Sequence, residues 1–137
     1  MSRRTARKQA FLNLYQSDVN GSPLDSTIRR WRDYRGDLEP YALKLACGVE
    51  REQEGLDALL SEVSVGWPVH RMSAIDRTIL RLALYEMLYV DDVPPEVALN
   101  EAVELARGFS GDEAPAFVGG VLRGANLRAQ DGVGHGR

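Results

Sequence analysis

The sequence is poor in the residues that most chemistry requires. It holds one cysteine, Cys47, and two histidines, His70 and His135, in 137 residues. A lone cysteine excludes an intramolecular disulfide and any thiolate-clustered metal site, and it fits a reducing, cytoplasmic setting. No apolar run approaches the roughly 20 residues of a membrane span, and the longest, Ile79 to Val90, is broken by Arg81 and Glu86. The basic N-terminus, Met1 to Lys8, has no apolar stretch or small-residue cleavage site behind it, so it is expected to belong to the mature domain rather than to a secretory leader. Strand signals are scarce as well: no alternation of period two exceeds about four residues, and no Asn-Gly or Asp-Gly turn joins β-branched runs.

Catalytic signatures are missing too. There is no Gly-x-Ser-x-Gly elbow, no His-Glu-x-x-His pair and no Walker loop. The glycine-rich stretch Val118 to Gly124 follows no predicted strand and lacks a Gly-Lys-Ser/Thr ending, so it reads as a place where helices approach closely. Glu101 and Glu104 read as a solvated helix face, and His70 beside Arg71 as a loop or capping residue. No catalytic residue, metal site or cofactor is expected.

What is present is helical periodicity. Ala6, Ala10, Phe11, Leu14 and Tyr15 predict a first helix over Arg3 to Asp18, stopped by Asn20-Gly21-Ser22-Pro23. Further helices are predicted at Asp25 to Tyr34, at Pro40 to Val63 with a possible break at Gly48 or Gly55, at Ile75 to Tyr89, at Pro95 to Arg107 and at Glu113 to Asn126. Ser73 is placed to cap the fourth, with Asp76 at the capping-box position. That helix is apolar nearly all round, which requires a central position. Residues 1–129 therefore form one all-helical domain, and the polar tail 130–137 is expected to be disordered.

The net charge of -3 conceals an asymmetry. Arg3, Arg4, Arg7 and Lys8 give the first 17 residues +4 with no acid, and the remaining 120 residues carry -7. At 100° per residue the four cations span an arc of about 140°, and Phe11, Leu14 and Tyr15 continue that stripe. A helix of this kind packs its later turns on the core and projects its first two beyond the core's edge, where the arginines have nothing acidic locally to pair with. Positive charge at a helix N-terminus also opposes the macrodipole. Two readings follow equally from the spacing: an anion site that takes phosphate, or a solvated basic end that serves solubility.

Four stretches together resemble the NusB family of transcription antitermination factors. Arg3 to Gln16 is similar to the family's arginine-rich first helix, and Asp76 to Met87 to its central helix. Asp92-Val93-Pro94-Pro95 through Asn100-Glu101-Ala102 to Arg107 is similar to its most recognisable run, and Phe117-Val118-Gly119-Gly120-Val121-Leu122 to its closing helix. The resemblance implies an all-α bundle of about seven helices in two packed subdomains. It also implies binding of boxA-type RNA of ribosomal RNA leader transcripts with NusE, a small-subunit ribosomal protein, inside an RNA polymerase antitermination complex. On the same ground Arg3, Arg4, Arg7, Lys8 and Phe117 are RNA contacts, and Tyr15 and Asp76 face NusE. The chain departs from the family at Gly119, where asparagine is common, at Pro115 and Ala116, where Lys or His often precedes the phenylalanine, and near Val63, where some relatives carry a tyrosine. These departures remove a donor and a charge and shift weight to the first helix.

Structural readings of the same residues stand beside these. Tyr15 and Phe117 on helices also fit a core, and Asp76 also fits a cap. Arg81 and Glu86 fit a satisfied pair within the central helix. The alternative function is a helical protein-interaction adaptor, self-associating as a homodimer through its apolar helices, with no direct RNA role. An accessory domain of a ribosomal-RNA methyltransferase is a third reading, and the chain length is expected to leave no room for its catalytic part.

Overall fold

The computed structural model describes residues 2–135, and the side chains of 2–130. Six α-helices follow one another: α1 (Arg3–Asn20), α2 (Leu24–Arg35), α3 (Pro40–Val63), α4 (Ala74–Tyr89), α5 (Pro95–Phe109) and α6 (Ala114–His135). A one-turn 3-10 helix at Val69–Arg71 precedes α4 and is the seventh helical segment; among the described residues there is no strand. The all-α expectation therefore holds.

Local chemistry sets the helix ends. Ser2 Oγ accepts the Thr5 amide at the start of α1, and Gly21 closes it in the left-handed conformation, φ 63°. Pro40 opens α3 at a position where no amide hydrogen is needed, and the Ser73 hydroxyl accepts the Asp76 amide at the start of α4, as the sequence predicts. Residues Thr78, Ile79, Leu80, Leu82, Ala83, Leu84, Tyr85 and Glu86 of α4 are all buried, because α1, α3, α5 and α6 each pack against it. The core is filled by aliphatic side chains from every α-helix, with Phe11, Leu45, Leu60, Leu84 and Leu122 among the most enclosed.

Three expectations are corrected here. Helix α3 runs unbroken through Gly48 and Gly55. Gly48 serves a close approach: a Cβ there would lie 2.1 Å from Tyr85 Cζ, so only glycine lets α3 and α4 meet at this point. Arg81 and Glu86 do not pair with each other. Arg81 makes a bidentate contact with Asp57 of α3 at 2.7 and 2.9 Å, and Arg77 makes another with Asp18 of α1 at 2.7 and 3.1 Å. The backbone of α6 continues past Gln130 to His135, beyond the expected end of the last helix. The side chains of 131–137, and with them the disorder expected of that tail, lie outside the described residues.

Candidate nucleic-acid interface

Helix α1 packs on α3 and α4, and the side chains of its first turns reach Glu101 of α5 rather than projecting beyond the core's edge, which decides what its cations do. Ala6, Arg7 and Ala10 are buried. Arg7 is 7% exposed, and its Nε donates to both carboxylate oxygens of Glu86, at 2.9 and 3.0 Å. Glu86 is itself 1% exposed and also accepts the Tyr41 hydroxyl. A second Arg7 nitrogen reaches Glu101 at 3.2 Å. Arg4 grips the same Glu101 through Nε and a terminal nitrogen at 3.0 and 2.8 Å, and Arg3 grips Asp92 at 3.3 and 3.1 Å while lying over the Tyr41 ring. The expectation that these arginines meet nothing acidic is thus overturned. Their partners come from α4, α5 and the loop between them, 79 to 97 residues away in sequence, where no local reading finds them. Glu101 is likewise not a solvated carboxylate, since it anchors two arginines.

The charge balance at this end is therefore small. Three of the four cations, Arg3, Arg4 and Arg7, meet the carboxylates of Glu86, Asp92 and Glu101, so the four cations and three carboxylates leave one net positive charge. The quality of the pairs differs. Arg7 is spent inside the protein, where its charge is held by buried acceptors. Arg3–Asp92 is open to solvent on both sides, and the Arg4 side chain is largely exposed, so these pairs are screened and exchangeable. Lys8 is exposed and takes part in no ion pair among the described residues. The hydrogen bond from Arg4 holds the Glu101 carboxyl below its ordinary range, and that from Arg3 does the same for Asp92. Burial, and then the hydrogen bond to Glu86, push the Tyr41 phenol up.

Two grooves flank the turn between α5 and α6. One, of about 280 Å³, is lined by Arg4, Arg7, Lys8, Glu101, Leu105 and Phe109. The other, more open and of about 620 Å³, is lined by Trp67, Asp76, Ser110, Glu113 and Phe117. Phe117 is partly buried against the core and partly open to this second groove, so it joins Asp76 and not the arginines. Asp76 accepts the Ser110 hydroxyl at 2.8 Å and so ties α4 to the turn after α5, in addition to its place in the first turn of α4. Tyr15 is half-buried and stacks on Phe11, ring centroids 6.0 Å apart. Phe11 also meets Phe109 at 5.0 Å in a tilted arrangement, so it touches one ring of its own helix and one at the end of α5. Gly119 is buried with Val103 and Arg123 near its Cβ position, facing α5.

Sequence reasoning missed Glu86, Tyr41, Glu101 and Phe109 as parts of this end of the molecule. For Phe109 a signal existed: it stands four residues after Leu105 and three after Ala106, so it extends the apolar face of α5 beyond Arg107, where the helix was expected to end.

Comparison with known proteins places this arrangement among relatives. The NusB family model matches residues 4–126. A transcription antitermination protein NusB of Rubrobacter xylanophilus is 72% identical over 136 residues, covering 99% of this chain and 98% of its own. Among solved structures, T. maritima NusB superposes with a TM-score of 0.84 at 29% identity, over 93% of this chain and 92% of that one. A chain from a crystal structure of the antitermination factors NusB and NusE in complex with dsRNA superposes with a TM-score of 0.82 at 25% identity, over 92% and 96%.

Proposed function

This chain belongs to the NusB family, and from that membership we propose that it is a transcription antitermination factor binding boxA-type single-stranded RNA of ribosomal RNA leader transcripts together with NusE. The observation that carries the RNA part is the exposed Arg3, Arg4 and Lys8 at the start of α1, beside a groove lined by Phe109 and one turn away from a second lined by Phe117. Unpaired RNA is held by cations on its backbone and by rings under its bases, and both kinds of group occur here within one end of the fold. Arg3, Arg4 and Lys8 supply the phosphate contacts. Arg4 spends two of its three nitrogens on Glu101 and keeps the third, and Arg3 exchanges a solvent-exposed carboxylate for a phosphate at small cost. Arg7 acts from inside, holding α1 on α4 through Glu86 so that its neighbours are presented in one register. Phe117 offers a ring to a base in the second groove, and Asp76 and Tyr15 face NusE.

The protein works by binding, inside the RNA polymerase antitermination complex and in the cytoplasm, without a catalytic step of its own. No helix among the described residues is long and apolar enough to cross a membrane. The adaptor reading draws support from one observation, the pairing of three of the four N-terminal cations with the protein's own carboxylates. Titration of a boxA-type oligonucleotide, with and without NusE, separates the two. RNA binding that weakens on Arg4→Ala and Lys8→Ala supports the factor; absence of RNA binding in either setting supports the adaptor.

A further inference from the structure

Phe109 lies between the basic start of α1 and the groove that holds Phe117, and no residue role given above accounts for its exposure. It ends α5 and is 37% exposed, although a large aromatic at the end of an amphipathic helix gains by turning inward. Its ring is held at one side by Phe11, 1% exposed, at 5.0 Å, and the open side borders the 280 Å³ groove. The Lys8 ammonium lies 6.0 Å from the ring centroid, at the limit of a cation–π contact.

We propose that this groove is a base-binding subsite, in which one unpaired nucleobase stacks on Phe109 while Lys8 and Arg4 hold the adjoining phosphates. The inference rests on the RNA-binding reading and adds to it a residue and a pocket. The charge pattern selects the neutral part of a nucleotide for the groove itself. Within the groove Glu101 is paired with Arg4 and Arg7 and Glu104 with Arg107, so no cation there is left over for a phosphate except at the α1 edge, where Lys8 and the third Arg4 nitrogen hold the backbone while the uncharged ring enters. The platform is rigid before binding because Phe11 fixes it, so little ordering cost is added on association. Ser110, next in the chain, lines the neighbouring groove and donates to Asp76, which fixes the turn that follows Phe109.

The test is a binding titration of a boxA-type single-stranded RNA against the full chain, its Phe109→Leu, Phe109→Trp, Arg4→Ala and Lys8→Ala variants, with folding checked by circular dichroism. Phe109→Leu keeps apolar packing on Phe11 and removes the flat ring; it is expected to weaken binding roughly 5- to 150-fold, the worth of one stacked base. Phe109→Trp restores the platform and is expected to restore affinity. The same RNA carrying an abasic site at each position in turn should contain one position whose loss adds nothing in the Phe109→Leu background. Parental affinity in a folded Phe109→Leu, or abasic losses that add at every position, overturns the subsite while losses in Arg4→Ala and Lys8→Ala leave the RNA-binding reading in place. A parental chain that binds no RNA overturns both.

Discussion

Replacing Glu86 by alanine tests how α1 is fixed to the core. Its carboxylate is 1% exposed and is the acceptor for Arg7 Nε through both oxygens and for the Tyr41 hydroxyl. Its loss leaves the Arg7 guanidinium, 7% exposed, with Glu101 at 3.2 Å as its remaining partner. Breaking a buried ion pair on one side costs about 3 to 5 kcal/mol, because the surviving charge stays desolvated. For a chain of this length that is a fall in melting temperature on the order of 10 to 15 °C. Glu86→Gln keeps the shape and one acceptor oxygen, so its cost is expected nearer 1.5 to 3 kcal/mol. Asp92→Ala breaks an exposed pair and should cost less than about 1 kcal/mol. Urea denaturation followed by circular dichroism at neutral pH ranks the three. An Arg7→Met, Glu86→Leu double variant, which removes both charges, should recover most of the single loss. The same cluster has a signature in alkali. The Tyr41 phenol is raised above its ordinary value of 10.0, so its contribution is complete below that pH and is lost as pH climbs through the raised value in the folded protein. Tyr41→Phe should remove that part of the alkaline decline. If Glu86→Ala costs no more than Asp92→Ala, the buried cluster does not fix α1 and the positioning role of Arg7 fails with it.

Three further outcomes follow from particular contacts. Gly48→Ala gains about 1 kcal/mol of helix propensity but sets a Cβ 2.1 Å from the buried Tyr85 ring, so a net loss of roughly 1 to 2 kcal/mol is expected, relieved in a Gly48→Ala, Tyr85→Leu double variant; a stabilised single variant contradicts the close approach. Asp76→Lys reverses a half-buried charge in the groove that Phe117 also lines; a NusE contact at Asp76 predicts a heterodimer weaker by about 1 to 3 kcal/mol in a calorimetric titration, and equal heterodimer affinity places the NusE contact elsewhere. Phe117→Ala should weaken RNA binding by about 1 to 3 kcal/mol with a smaller loss of stability than a fully buried phenylalanine gives, and a loss of 3 to 5 kcal/mol in stability with normal RNA affinity assigns the ring to the core.

The helices were legible because their causes are local. Proline at 40 and the spacing of Tyr41, Leu45, Val49, Leu56 and Leu60 place α3 at the bounds it adopts, and apolar residues on every face of α4 require the central position it occupies. The end of α6 was not legible: the tail after Gln130 has little apolar content to hold a helix, while the backbone continues helical to His135. At the interface, the arc of Arg3, Arg4, Arg7 and Lys8 was legible from helical geometry, but its neutralisation was not. The carboxylates of Glu86, Asp92 and Glu101 reach those arginines only through tertiary packing of α1 on α3 and α4, and nothing in the spacing of these segments specifies that approach. The division of the aromatics between two grooves depends on the same packing, which is why Phe117 was expected beside the arginines and Phe109 was read only as part of a turn.

The basic start of α1 as the RNA site is tested most directly by the salt dependence of boxA-type RNA binding. Up to four phosphates neutralised by the four cations, at about 0.7 each, give a slope of log K against log salt no steeper than about -3. The structure removes Arg7 from that count, because it is buried on Glu86, and leaves Arg3, Arg4 and Lys8, so this patch is expected to contribute a slope no steeper than about -2. A triple Arg3→Ala, Arg4→Ala, Lys8→Ala variant that melts like the parent should bind weakly, with a slope close to zero from whatever stacking remains. The same affinity and the same slope in that folded variant would contradict the assignment.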